Sequence, residues 1–445
     1  MKILHYGLGF PPNRTGGLVS YTLDLMESQT KSGDKVIYLY PGGVNFFKKK
    51  LGIKKDKRKS KKNFQAFELV NSLPLPLFGG IKEPRKFMDI DDNNIYRNFF
   101  EMNEVDIIHV HTLMGLHKTF FEVAHEKNIK IVMTTHDYFG IAPEPNFFLD
   151  GKNYDTQNNI ENWIKVSRTA MSVKKLRLFQ WKYYYILKKI AKLIKQKTEY
   201  LDKRTITNKE MLVIKTEEIK QYSLLKGYYL SILQEIDFFH FNSQLSKDVY
   251  QKNLLLDKYD VISITTATMK KQQINRQKHR IDRLRVGYIG PYKEYKGFYD
   301  FLKLLEELGT TDYEYHIYGD DSKIDFPKGI INHGRYSKEE LAEVYENIDI
   351  LIVPSKWKET FGLIVLEALS YGVHVILSNN VGAKDLVKEE YIYSDISELK
   401  NILLKINVSE NEEIEIKTME THESEIKQVY KKMIKGTKND QLYNN

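Results

Sequence analysis

Between residues 285 and 378 the chain alternates short apolar runs with longer amphipathic stretches, and this alternation limits its fold more than any other feature. RVGYIG (285–290), YEYHIYG (313–319), GIINHG (329–334), DILIVPS (349–355) and VHVILS (373–378) read as strands. FYDFLKLLEEL (298–308), SKEELAEVYENI (337–348) and TFGLIVLEALSYG (360–372) read as helices between them, with Ser337 the expected N-cap of the second. Strands separated by whole helices cannot pair as hairpins. Each must cross over and return parallel to the last, which builds a doubly wound sheet.

The opening of the chain repeats the theme. KILHYG (2–7) is a strand, Gly16-Gly17 a loop, LVSYTLDLMESQTKSG (18–33) a helix ending at glycine, and KVIYLY (35–40) a second strand. VDIIHVH (105–111) and IKIVMTTH (129–136) are apolar strands closing on histidine, separated by helical LHKTFFEVAHEKN (116–128), and IDFFHFNS (236–243) is a further strand and turn. The expected fold is α/β, two Rossmann-like doubly wound domains facing each other across a cleft, with an added helical segment. The boundaries read as 1–266 for a first, acceptor-binding domain carrying a helical insertion at about 155–235, 267–284 for a linker, 285–415 for a second, donor-binding domain, and 416–445 for a last helix (420–435) and a frayed tail.

Composition narrows the function. The 445 residues contain no cysteine, which excludes disulfide frameworks, thiolate metal sites and cysteine nucleophiles. No leader is expected, and no apolar run approaches the roughly 20 residues of a membrane span; a cytoplasmic protein is expected. The formal net charge is +9, and ten of the fifteen residues 48–62 (KKKLGIKKDKRKSKK) are Lys or Arg. That stretch reads either as a solvated loop or as a tether to anionic headgroups at the inner face of the plasma membrane. Residues 161–197 mix lysines with Trp163, Trp181 and Tyr183-Tyr184-Tyr185, as an interfacial helix or as a cover for the chain's own core. No nucleic-acid recognition motif accompanies the charge.

Ligands of open α/β sheets bind beyond the carboxyl ends of the strands, which points to Gly16, Gly17, His109, His111 and His136 in the first half and to Gly290–Gly297 and Pro354–Glu367 in the second. In SKWKETFGLIVLEALSYG (355–372), Gly362 opens a helix whose bare N–H groups could receive a diphosphate near Phe361, Gly362 and Leu363. Glu359 stands at the mouth to accept from sugar hydroxyls, and Glu367 lies deeper, suited to the two hydroxyls of a ribose. Lys296, just before Gly297, could neutralise the leaving diphosphate. The bland readings are chance spacing of two glutamates, a surface lysine, and strand-closing histidines bonded to backbone. Asp320-Asp321 and the pair Asp89/Asp91 read as loop acids rather than metal ligands.

These motifs resemble glycosyltransferase family 4, with the GT-B architecture. The resemblance rests on Gly16-Gly17 after the first strand, HVH (109–111), TTHD (134–137), IGPYKEYKG (289–297) and Glu359-x7-Glu367, and it covers residues 1–150 and 236–390. It implies a retaining, metal-independent glycosyltransferase without a cofactor, drawing on a nucleotide-sugar, UDP-sugar ahead of GDP-sugar. The acceptor would be a glycan, a lipid-linked sugar or a protein, in bacterial surface polysaccharide or glycoconjugate synthesis. Glu359, His111, His136 and Lys296 would be catalytic; Gly16, Gly17, Gly290, Lys296, Phe361, Gly362, Leu363 and Glu367 would bind the donor. Two places depart from the family. Pro291 stands where an arginine usually partners the lysine, leaving Lys293 or Arg14 as substitutes, and VGAKDLV (381–387) replaces a glycine-rich loop. The first departure motivates an alternative, an inactive GT-B partner or chaperone of an active transferase.

Overall fold

A computed structural model describes residues 1–45, 47–48, 50–77, 79–89, 93–181, 214–269, 283–322, 324–408 and 415–442. The first sheet contains β1 (Lys2–Tyr6), β2 (Lys35–Pro41), β3 (Gly52–Lys55), β4 (Phe64–Val70), β5 (Ile107–Val110), β6 (Lys130–Thr135), β9 (Phe238–Phe241) and β10 (Tyr259–Val261); a separate hairpin pairs β7 (Phe148–Leu149) with β8 (Lys152–Asn153). The sheet order is β10-β9-β6-β5-β1-β2-β4-β3, parallel except for the antiparallel edge strand β3. The second sheet holds β11 (Leu284–Ile289), β12 (Tyr313–Tyr318), β13 (Ile330–Gly334), β14 (Ile350–Val353), β15 (His374–Ser378) and β16 (Ile392–Tyr393). Its order is β13-β12-β11-β14-β15-β16, all parallel. Strand order therefore reverses between β11 and β14, the switch point at which doubly wound sheets open a crevice.

Helices cover both faces, which is why β5, β14 and β15 are buried at every position. The helices are α1 (Gly17–Lys31), α2 (Asn93–Asn103), α3 (Lys118–Glu126), α4 (Ile160–Arg168), α5 (Val173–Gln180), α6 (Thr216–Leu233), α7 (Gln244–Gln251), α8 (Phe298–Leu308), α9 (Leu341–Glu346), α10 (Leu363–Ser370), α11 (Ile396–Lys405) and α12 (Met419–Leu442). α12 follows the second sheet in the chain yet packs on the first. Ile426 and Tyr430 are fully buried in one apolar cluster with Ile3, Tyr21 and Leu25. At its polar edge Lys427 pairs with Asp34 at 2.8 Å.

Three expectations need correction. The lysine-rich segment is not a loop: Gly52–Lys55 pairs with Phe67–Val70, and the Asp56 carboxylate accepts from the backbone N–H groups of Arg58 and Lys59 to turn the chain. Lysines along such an edge protect it from pairing with another sheet. The insertion expected at about 155–235 is helical in its described parts. It contains α4, α5 and α6, while 182–213, with Tyr183–Tyr185, lie outside the described residues, as do Asp91 and most of the linker (270–282). Ser337 is not an N-cap: α9 starts only at Leu341, because Glu340 accepts from the Ser337 N–H in a turn that precedes it. The last helix does not stop at 435 but runs to Leu442.

Candidate active site

A cavity of about 340 Å³ opens between the sheets at the β11/β14 switch point. From the second sheet it is lined by Gly290 and Pro291 after β11, Pro354 after β14, and Phe361 to Ile364 at the start of α10; Gly17 and Leu18 of α1, His136 after β6 and Asn242 after β9 line it from the first. Gly297 makes this geometry possible. It sits at φ 71°, and a Cβ there would lie 1.6 Å from the Pro354 carbonyl oxygen, so only glycine lets the turn Glu294–Lys296 rest on the end of β14. The Tyr295 carbonyl then accepts from the N–H groups of Lys356 and Trp357, joining the two loops.

Joined in this way, Lys296 Nζ reaches Glu359 Oε1 at 2.6 Å and stands 5.4 Å from the Trp357 ring centre. Backbone bonds on both sides hold Glu359, its N–H donating to Asn380 and its carbonyl accepting from Gly382. Its second oxygen, Oε2, is buried and has no hydrogen-bond partner. A buried carboxylate oxygen left unpaired is costly, so its persistence points to a partner that a ligand supplies.

Two helix N-termini converge on this pair. α10 begins after Gly362 (φ 97°) and α1 after Gly16 (φ 110°); neither has a side-chain cap or an acidic residue in its first turn. A Cβ on Gly17 would stand 3.1 Å from Leu363 Cδ1 across the cleft. Two uncapped positive helix ends and one lysine make a site for an anion. Polar bonds hold the two sides together. Thr360 Oγ1 donates to the His136 carbonyl, Ser243 Oγ to the Thr360 carbonyl, and Lys358 pairs with Asp155 at 2.7 Å.

Of the sequence-derived residues, His136, Lys296, Glu359, Gly17, Gly290, Phe361, Gly362 and Leu363 line the cavity, while Gly16, His111 and Glu367 do not. Gly16 is exposed one residue before the lining begins. Glu367 lies one helical turn beyond Leu363, its carboxylate accepting from the Tyr345 hydroxyl at 2.8 Å, and burial raises its pKa. Lys293 and Arg14 do not reach the cavity, so Lys296 is its only Lys or Arg among the described residues. Asp320 accepts from Ser322 and from the Tyr292 N–H, and Asp321 pairs with Arg335, as loop acids do. Sequence reading missed Asn242. Its side chain lines the cavity, 1% exposed, with neither amide atom hydrogen-bonded. Its place after a strand, in HFNS, was the available signal.

His111 sits beneath His136, 1% exposed, its Nδ1 3.4 Å from His136 Nε2 and its Nε2 3.0 Å from His5 Nδ1. His109 is also internal, between the Tyr430 hydroxyl (2.5 Å) and Thr134 Oγ1 (2.6 Å). Burial holds His5 at about 4, His136 and His240 at about 3, and His109 and His111 well below the ordinary imidazole range.

These rings make a prediction about acid stability. In the unfolded chain they titrate near 6.5, so below that pH the unfolded state binds more protons than the folded one. Their stabilising contribution is therefore complete above about pH 6.5 and is lost as the pH falls, each of the five costing about 1.4 kcal/mol one unit lower. Asp137 and Glu144, pushed up to about 7 by burial, act in the opposite sense and take up protons in the folded state. Other buried histidines, among them His117 at about 4, act in the same sense as the five, so a net loss of stability is expected between pH 7.5 and 5.5 in urea unfolding. Equal or greater stability at pH 5.5 would contradict a neutral histidine cluster.

Residues 269–407 match the family "Glycosyl transferases group 1". Two uncharacterized proteins of the cps region of Klebsiella pneumoniae are similar in sequence. The 42.6 kDa protein is 23% identical over 325 residues, which are 69% of this chain and 67% of that protein. The 41.2 kDa protein is 24% identical over 144 residues, 31% of this chain; the chain spans only 40% of its length. Among solved structures, a glycosyltransferase from Rickettsia africae superposes with a TM-score of 0.57 at 13% identity, covering 98% of both chains. Anabaena HepE in complex with UDP and glucose superposes with a TM-score of 0.51 at 13% identity, covering 100% of this chain and 98% of that one. The chain thus has the GT-B fold of glycosyltransferases, and its residues 269–407 match the glycosyl transferases group 1 family.

Proposed function

We propose that this protein moves a sugar from a nucleoside diphosphate sugar to a glycan, lipid-linked or protein acceptor, with retention at the anomeric carbon and without a metal. One observation carries the reading. The buried, unpaired Glu359 Oε2 lies beside Lys296 and the uncapped start of α10, at the switch point between the sheets. The similarity to HepE, solved with UDP and glucose, supports a UDP-sugar donor, and the Klebsiella proteins of a cps region support a role in surface polysaccharide synthesis.

In this reading the diphosphate lies between the starts of α10 and α1, Lys296 meets the charge that grows on it, and Glu359 Oε2 accepts from a donor-sugar hydroxyl. The bond from the anomeric carbon to the phosphate oxygen breaks, the acceptor oxygen bonds on the same face, and its proton passes to the leaving phosphate. The transition state is oxocarbenium-like. His136 and Asn242 supply polar atoms to substrate hydroxyls from the first sheet. Glu367 would serve the ribose once its bond to Tyr345 is exchanged, and Gly16 would leave the start of α1 open to the donor.

The lone cation motivates a second reading, an inactive partner of another transferase, since Pro291 takes the place of an arginine. Turnover of any nucleotide-sugar by the purified protein rejects that reading. Glu359→Gln should then lower kcat at least roughly 100-fold, a loss of about 2.7 kcal/mol or more, with UDP affinity by calorimetry nearly unchanged. Near-normal turnover would remove Glu359 from the site. Wild-type activity should survive excess chelator, and complete loss there would defeat the metal-free mechanism.

Among the described residues no helix is long and apolar enough to cross a membrane. We propose peripheral contact with an anionic surface at the lysine-rich edge. Phe47 is fully exposed there, next to Lys48 and close to Lys50. A Phe47→Ser, Lys48→Gln, Lys50→Gln variant should sediment less with phosphatidylserine vesicles at low salt while keeping its turnover of a soluble acceptor. Unchanged sedimentation would reject this contact.

A further inference from the structure

Five imidazoles beneath the cavity form a hydrogen-bonded chain whose direction can be read from one end. His240 Nε2 lies 2.7 Å from the Ile262 carbonyl oxygen. A carbonyl only accepts, so Nε2 carries the proton and the neutral ring accepts at Nδ1. The Thr134 hydroxyl, 2.8 Å away, must donate to it. With its proton committed, Thr134 Oγ1 accepts from His109 Nε2 at 2.6 Å, and His109 Nδ1 accepts from the Tyr430 hydroxyl at 2.5 Å. The Tyr430 oxygen accepts from Gln29 Nε2 at 3.3 Å, which orients the amide and turns its Oε1 toward His5. His5 Nε2 donates to that oxygen at 2.7 Å. His5 Nδ1 then accepts from His111 Nε2 at 3.0 Å, and His111 Nδ1 accepts from His136 Nε2 at 3.4 Å. Burial keeps every ring neutral, as the one-way chain requires.

The chain ends at His136, which lines the cavity and whose Nδ1 has no protein partner among the described residues. We infer that Gln29, acting through His5 and His111, holds His136 in the tautomer protonated at Nε2, so that Nδ1 meets a substrate hydroxyl as a hydrogen-bond acceptor. Only the identity of that hydroxyl, on a sugar, rests on the proposed function. Gln29, His5, His111 and Tyr430 are positioning residues, because each acts on substrate only through His136. The reversed tautomer would present an N–H instead, which suits a carbonyl or phosphate oxygen and forfeits the hydroxyl as donor.

A metal is the competing use of the same rings. His5, His109 and His111 bring ring nitrogens within 4.8 Å of one another. All six of their nitrogens are engaged in the bonds just traced, however, and binding an ion would break them.

The test is ¹⁵N NMR of the full-length protein labelled at its histidine rings, without nucleotide, with His136 identified by the signals lost in His136→Gln. The expected spectrum shows a protonated Nε2 and a bare Nδ1. In Gln29→Leu, of similar size but unable to donate or accept, the two His136 nitrogens should average between tautomers. Gln29→Glu, which keeps an acceptor for His5, should restore the wild-type pattern. A wild-type His136 protonated at Nδ1 overturns the inference, even if no variant folds. So does a Gln29→Leu protein with an unaltered His136, or one tightly held zinc ion per purified chain. None of these measurements needs turnover, so an error in the proposed reaction cannot pass for an error in the tautomer.

Discussion

The chain closes back on itself, and a buried polar network depends on that closure. α12 comes after the second sheet but buries Tyr430 against His109 of the first, in an apolar cluster that also takes in Leu351 and Val375 of the second. The seam is unusual in being both buried and polar. His5, His109 and His240 are fully sealed from solvent, and each would cost several kcal/mol if left without partners. They are tolerated because each ring nitrogen has a partner, so the network is satisfied only when α12, α1 and the strands of the first sheet meet in one arrangement. A half-made version would leave buried donors unpaired, which makes the docking of α12 and α1 on the first sheet close to all-or-none.

Within that frame two loops of the cavity are joined at a point where backbone nearly touches backbone. Gly297 against Pro354 brings the lysine of one βα loop onto the glutamate of another, although the two residues are 63 positions apart. Lys296 neutralises one oxygen of Glu359 and leaves the other bare. The pair is thus held in place by its own attraction and still lacks one hydrogen bond. Asn242, facing it from the first sheet, carries an amide with the same deficit. Unsatisfied polar atoms from both lobes converge on one cavity, and a ligand rich in hydroxyls answers both at once.

What could be read from the sequence follows from the range of the forces involved. The strands of the second sheet were legible because parallel strands covered on both faces are continuous apolar runs, and Gly362 was legible because a helix start is a local event. His111 was not. Alternation along β5 does place it at the strand end, but whether that end meets the cavity or another ring depends on His5, which is 106 positions away in the chain. Ser337 misled because a capping serine and a turn serine look alike until the Glu340 side chain is placed. The strand Gly52–Lys55 was hidden by its lysines, since an edge strand shows polar residues where an inner strand would show apolar ones. Asn242 was hidden because an asparagine in a turn is ordinary, and only its burial without a partner marks it out.

Pro291, in the place where the resemblance leads one to expect an arginine, is the feature that most tests the functional reading, and the helices offer a physical answer. A helix N-terminus carries roughly half a positive charge, so the starts of α1 and α10 together supply about as much as one side chain. Neither is capped by a side chain or opposed by an acid in its first turn, which would have cancelled the effect. Their charge is also fixed in space and needs no rotamer to be ordered when a diphosphate arrives. A proline after β11 is consistent with this economy. Its carbonyl accepts from the Tyr288 hydroxyl at 2.7 Å, which pins the loop that a flexible cation would otherwise have occupied. In the proposed reading the site would rely on preorganised dipoles and one lysine. That arrangement favours a ligand whose charge lies on the axis between the two helix starts, as a diphosphate bridging them would.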